Sequence, residues 1–243
     1  MNCVDRAYII DYIDNHSQMK SADVFHGANQ GLVKRDLPIK GGFIVKQSVE
    51  ISMNIWEAIR ERRSIGRVKQ DPVEREKIEL LLEAASWAPS HHATEPWRFF
   101  VLTGEGRGVL GQAYADIAAE AAQGLGPEEL ESIRSKSRAK AFRAPLVIAI
   151  AVSPSVDPKV SRIEEFAAAH SAAQNMLLTA HALGLGTIWR SGDPMYHHRM
   201  KQAFGLTESE ELVGLIYIGY PDMPQLTGKR VSYEEKTVWI SNE

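Results

Sequence analysis

The 243-residue sequence contains one cysteine, Cys3, so no disulfide can form within the chain. Its cysteine usage therefore gives no sign of an oxidising compartment. No stretch approaches the roughly 20 apolar residues needed to cross a bilayer. The first residues carry Asp5, Asp11, Asp14 and His16 and lack the basic start and apolar run of a secretory signal. The expected compartment is the cytoplasm. Charge of one sign is also missing: 28 Lys and Arg oppose 31 Asp and Glu, a net −3. No global field draws in nucleic acid or an anionic membrane, and any anion must be met by a local cluster of donors.

Several reactive patterns are absent as well. There is no Gly-x-Ser-x-Gly elbow. Gly104-Glu105-Gly106-Arg107-Gly108 is not followed by Gly-Lys-Ser/Thr and reads as a turn. His91-His92 and His197-His198 are adjacent pairs with no third ligand at a recognisable spacing, so no metal site is expected.

What is present is an ordinary globular composition, 44% hydrophobic and 24% charged, enough for one large domain without staples. Residues 1–52 are interrupted by Gly27, Gly31, Pro38, Gly41 and Gly42 and read as an N-terminal extension of unclear role. Residues 53–243 are regular, and Met53 is expected to lie nearer a natural start.

Asn54 and Glu57 have capping-box spacing, with Ile55 and Ile59 on one face behind them. A second helix is expected from an Asp71 cap, with Pro72 first, Glu74 third, and Ile78, Leu81, Leu82 and Ala85 at helical spacing. Trp97–Leu102, Leu146–Val152, Thr187–Trp189 and Leu212–Tyr220 read as strands. Two helices are expected in 106–142, a long one in 164–183, and one from Asp193 to Gly205. This order predicts a central sheet with helices packed around it. The alanines of the long helix, Ala167–Ala169, Ala172 and Ala173, make a smooth face for another helix, in the core or across a dimer.

Three segments carry candidate chemistry. Arg62, Arg63, Ser64 and Arg67 place three guanidiniums and a hydroxyl where a helix opens into a loop. Arginine's planar fork suits phosphate, although a solvated basic face has the same composition. Ala88 to Trp97 is a polar loop between two rigid elements. Gly184 to Gly192, with Trp189, Arg190 and Ser191, places glycines and a strand end where backbone can approach a ligand, or serves only as cap and turn.

In order, these segments resemble the nitroreductase family. Trp56-Glu57-Ala58-Ile59-Arg60-Glu61-Arg62-Arg63-Ser64 is similar to its opening helix and Arg-Arg-Ser motif. Ala84 to Ser90, with Pro96-Trp97-Arg98-Phe99, is similar to its Ala-Pro-Ser…Gln-Pro-Trp-x-Phe. Ala182 to Thr187 and Gly219-Tyr220-Pro221 resemble its helix-to-strand crossing and its Gly-Tyr-Pro ending. Trp189-Arg190-Ser191-Gly192 is closer to the short subgroup. The resemblance implies an α+β flavin fold, with a central mixed β-sheet flanked by helices, and an intertwined homodimer with FMN at the subunit interface and NAD(P)H as electron donor. It implies that Arg62, Arg63 and Ser64 hold FMN, and that Trp87 and His91 reach the flavin of the other subunit. Trp189, Arg190 and Ser191 would supply a backbone-rich contact, and Arg230 would meet the phosphate. Departures include Gly66 where many members carry a basic residue, and Glu95 for Gln.

The implied chemistry is ping-pong hydride transfer to nitroaromatic, quinone or similar acceptors. No protein nucleophile is needed and none is assigned. Dehalogenation, ene reduction and dehydrogenation run on the same fold. A non-catalytic flavin-binding module and a helical interaction protein are the readings from other classes.

Overall fold

The computed structural model describes residue 51 and residues 53–241. Apart from Ile51 and Met53's neighbourhood, the expected extension lies outside the described residues. Ile51 itself packs against the main core.

Helix α1 (Ile55–Glu61) begins as its sequence demands. The Asn54 side chain accepts from the Glu57 amide, and the Glu57 carboxylate accepts from the Asn54 amide. Its apolar residues, however, face outward: Ala58 is its one buried residue, while Ile55, Trp56 and Ile59 are exposed.

Helix α2 (Arg75–Ser86) starts later than the Asp71-Pro72 signal predicts, with Glu74 at the cap. Val73 explains the delay. It is buried in the core, and Glu74 after it is still extended, so the helix opens only at Arg75. The Glu74 carboxylate is engaged by the Tyr220 hydroxyl and by Lys77.

Strand β1 (Trp97–Thr103) leads through α3 (Gly108–Ala121) and α4 (Pro127–Arg138) to β2 (Leu146–Val152). Pro127 opens α4 at its first position, as proline's fixed φ favours. Helix α5 (Arg162–Ala182) and strand β3 (Gly186–Arg190) follow. The helix expected from Asp193 to Gly205 is two pieces, α6 (Asp193–Tyr196) and α7 (His198–Ala203), separated by an extended His197. Strand β4 (Glu211–Gly219) completes the sheet.

The sheet order is β1-β2-β4-β3, and all three pairings are antiparallel. Among the described residues, the mixed character expected of the sheet is confined to one isolated parallel bridge, Ser64 to Thr187. Hydrophobic runs reveal strands but not their directions, which the long connections decide. Helices cover both faces. Leu146, Ile148, Ile150, Ile216 and Ile218 meet α2 and α5; Val147, Ala149, Ala151, Leu215 and Tyr217 meet α3 and α7. Every residue of β2 is buried, as its uninterrupted apolar run predicts. The alanines 168, 169, 172 and 173 of α5 are in this core, so they serve packing within the chain.

Candidate functional site

The end of α1 gathers positive charge. Arg62 caps the helix, its amide donating to the Ala58 carbonyl, and its side chain is half-buried. Burial, and then the charges of Arg63 and Arg230, push the Arg62 pKa below the usual guanidinium range. Arg230 is thus brought to the Arg-Arg-Ser segment from 168 positions further along the chain. Among the described residues no carboxylate forms an ion pair with Arg62, Arg63 or Arg230.

Arg63 is held from both sides. Its Nη1 donates to the carbonyls of Arg60 and Arg62 at 2.6 and 2.7 Å. Its Nε is buried and has no hydrogen-bond partner among the described residues. Its guanidinium lies so close to Gly228 that a Cβ there would sit 1.8 Å from Nη2. Gln225 Nε2 donates to the Glu61 carbonyl at 2.7 Å, which fastens the same C-terminal segment to the helix end. Ser64 is exposed and bridges to Thr187 on β3, while the Ile65 amide donates to the Thr187 carbonyl at 2.8 Å. Arg67 is not part of the cluster. It donates to the Asp222 carbonyl at 2.6 Å and pairs with the Asp222 carboxylate.

An uncompensated group of guanidiniums costs free energy unless an anion meets it. Phosphate, with oxygens suited to forked N–H donors, is the anion this arrangement fits.

The β3 end presents mixed roles. Trp189 is spent on packing: its ring stacks on His170, centroids 5.7 Å apart, its Nε1 donates to the Val213 carbonyl, and it lies over Gly214. Only its backbone is left to meet a ligand. Arg190 turns to the other face, 5.6 Å over the Tyr217 ring, with Nε buried and unpartnered among the described residues. Ser191 is exposed, and Gly192 takes φ 108°, which breaks the strand before α6.

Trp87 and His91 stand apart. Trp87, the C-cap of α2, is 81% exposed, and His91 is exposed beside His92. No hydrogen bond or ring contact joins either to the arginine cluster. The loop that carries His91 has a left-handed backbone at His92, Ala93 and Glu95. The Ser90 hydroxyl accepts from the Glu95 amide and closes it.

A family model described as the nitroreductase family matches residues 59–220. The chain belongs to the nitroreductase family. It is 33% identical over 181 residues to a Bacillus subtilis protein with the provisional name NAD(P)H nitroreductase YfhC, covering 74% of this chain and 91% of that one. It is 32% identical over 179 residues to Escherichia coli YdjA, provisionally named in the same way, covering 74% and 94%. Among solved structures, a nitroreductase-like family protein from Bacillus cereus superposes with a TM-score of 0.67 at 29% identity, over 78% of this chain and 97% of that one. A Desulfovibrio desulfuricans protein provisionally called a nitroreductase, solved in complex with FMN, gives 0.57 at 27% identity, over 79% and 99%.

Two residues of this nitroreductase-family chain escape sequence reasoning. His181, in the last turn of α5, has a buried Nε2 without a hydrogen-bond partner among the described residues. Burial, opposed by Glu61 and reinforced by Arg62 and Arg63, lowers its pKa, which places it beside the arginines. Arg143 shares a narrow crevice with Gly66, Ile188, Arg190 and Tyr217 and forms no ion pair among the described residues. A basic residue just before a buried strand was the available signal for Arg143. Nothing in the spacing marks His181.

Proposed function

We propose that this chain is an FMN-dependent oxidoreductase that uses NAD(P)H to reduce nitroaromatic, quinone or similar small electron acceptors, and that it acts as a homodimer. The observation that carries the reading is the set of Arg62, Arg63 and Arg230 at the end of α1, without a pairing carboxylate among the described residues, in a nitroreductase-family chain. Names of relatives agree with it, since YfhC and YdjA are called NAD(P)H nitroreductases and the Desulfovibrio protein holds FMN.

The donor set fits the cofactor. Arg62, Arg63 and Arg230 would hold the phosphate, and the exposed Ser64 hydroxyl would add a donor. The backbone of Trp189, Arg190 and Ser191 would border the ring system, and the Arg190 charge would favour negative charge there. FMN bound there would supply the redox chemistry. The protein positions NAD(P)H and the acceptor and excludes water.

Dimerisation is supported by apolar surface that one chain leaves open. Ile55, Trp56 and Ile59 on α1, and Val238, Trp239 and Ile240 near the C-terminal end, are at least half exposed. Surface of this kind marks an interface. Trp87 and His91, which touch no part of their own arginine cluster, are free to reach the site of a second copy. Residues 53–243 form the flavin domain in this reading, and 1–52 are an extension to it.

An absorption spectrum of the purified protein, before and after anaerobic NADPH, tests the proposal. Flavin bands that bleach on NADPH and return with a nitroaromatic are expected. A colourless protein that takes up no added FMN would overturn it.

A further inference from the structure

We infer that Glu120, His197 and His198 form a binding site for a divalent transition-metal ion of the zinc class, joining α3 to the α6–α7 corner. Adjacent histidines are poor ligands for one ion when their rings diverge, and the sequence shows no third ligand at a recognisable spacing. The fold removes both objections. Glu120, in the last turn of α3, supplies a carboxylate 77 positions upstream of His197. One ligand atom from each of the three residues lies within 4.8 Å of the others. A tetrahedral ion with bonds of about 2.0–2.1 Å sets its ligands about 3.4 Å apart, so side-chain adjustments of about 1 Å close the site.

The histidines converge because the backbone changes state between them. His197 is extended, φ −69° and ψ 141°, and His198 opens a helix. The two rings therefore turn to one side, with centroids 4.3 Å apart and planes 33° from each other. Glu120 is already oriented by a charged neighbour: one of its oxygens, Oε2, accepts from Arg199 Nε. The other oxygen is left for an ion, with Arg199 as the outer partner that ligating carboxylates commonly have. His197 Nδ1 accepts from the Arg199 amide at 3.3 Å. That long capping bond is given up when the ring takes a metal, because a neutral imidazole offers one lone pair.

The donor set decides the ion. Two imidazoles and one carboxylate favour zinc, copper, nickel or cobalt over magnesium and calcium. Three protein ligands leave a position for water. Glu120 and His197 are half-buried and His198 is exposed, so the ion can enter from solvent. Bound there, it clamps the α3–α4 excursion between β1 and β2 onto α7. None of its ligands belongs to the arginine cluster, so the inference stands apart from the flavin reading.

Calorimetric titration of zinc chloride into the full-length flavoprotein tests the site. One ion per chain is expected, with zinc preferred over magnesium. His198→Ala and Glu120→Gln should each weaken binding at least about tenfold, while His91→Ala with His92→Ala leaves it unchanged. The His198 side chain forms no hydrogen bond among the described residues, so its variant folds even where loss of the His197 cap loosens α7. Absence of zinc uptake by the wild type overturns the inference. Uptake that is indifferent to His198→Ala and Glu120→Gln overturns it equally, because the ion is then held elsewhere.

Discussion

Gly228→Ala offers a sensitive probe of the arginine cluster, because it reaches the cluster without removing a charge. A Cβ at this position would lie 1.8 Å from Arg63 Nη2, 2.2 Å from Cζ and 2.4 Å from Nε. No heavy-atom contact survives at such distances, so the guanidinium must swing away. It then loses its bonds to the Arg60 and Arg62 carbonyls and its aim at the anion. The displaced group is the end of a flexible side chain, but it gives up two charge-assisted bonds, so the folded state loses about 1–3 kcal/mol. The ligand loses a donor as well. A hydrogen bond to a charged partner contributes about 1.5–3 kcal/mol, so FMN should dissociate about ten- to a hundredfold more readily. Flavin fluorescence quenching on titration into the apoprotein measures this, with a thermal melt alongside. The effect should be redundant with Arg63→Ala: the double variant should bind FMN no more weakly than Arg63→Ala alone. Wild-type affinity in Gly228→Ala, or full additivity in the cycle, refutes the reasoning.

Four further expectations follow from the same geometry. Arg62→Ala should lower FMN retention about tenfold or more, by loss of a charged donor, and leave the melting temperature nearly unchanged; unchanged affinity removes Arg62 from the site. Gly214→Ala drives a methyl into the Trp189 indole, 2.5 Å from Nε1, and since that ring is stacked on His170 the overpacking should cost about 1–3 kcal/mol in urea unfolding. Glu210 is buried, and the Thr207 amide first, then Arg98, hold its carboxyl at about 2 instead of 4.5. Its folded-state pKa is lowered, so its stabilisation, up to about 3 kcal/mol, is complete above pH 4.5 and is lost as pH falls toward 2. Glu210→Gln should therefore flatten the acid limb of stability, and an unaltered limb would sink that account. Trp56→Asp should convert the eluting species on size-exclusion chromatography from dimer to monomer, and an unshifted peak would exclude α1 from the interface.

Local signals in the sequence were faithful where the local chain controls the outcome. The Asn54–Glu57 cap formed because both partners lie within one turn. The β2 run appeared as a strand of the same bounds because seven consecutive apolar residues suit a doubly covered sheet. Where tertiary contacts compete, local signals failed. Burial of Val73 outweighed the Asp71-Pro72 helix start, and His197 broke a helix whose end signals spanned it. The site shows the same division. Arg62, Arg63 and Ser64 were legible as a contiguous motif, and Arg230 only through family resemblance. His181, Arg143 and Glu120 meet their neighbours across long chain separations that no spacing rule encodes. The outward turn of Ile55 and Ile59 was equally hidden, because periodicity defines a face but not what covers it.

The loop between α2 and β1 holds three residues with side chains, His92, Ala93 and Glu95, at φ of 57°, 51° and 45°. Left-handed backbone costs a residue with a Cβ about 1 kcal/mol, so the loop carries roughly 3 kcal/mol of conformational strain. That strain is held in place by the Ser90–Glu95 bond and by the helix and strand that anchor the two ends of the loop.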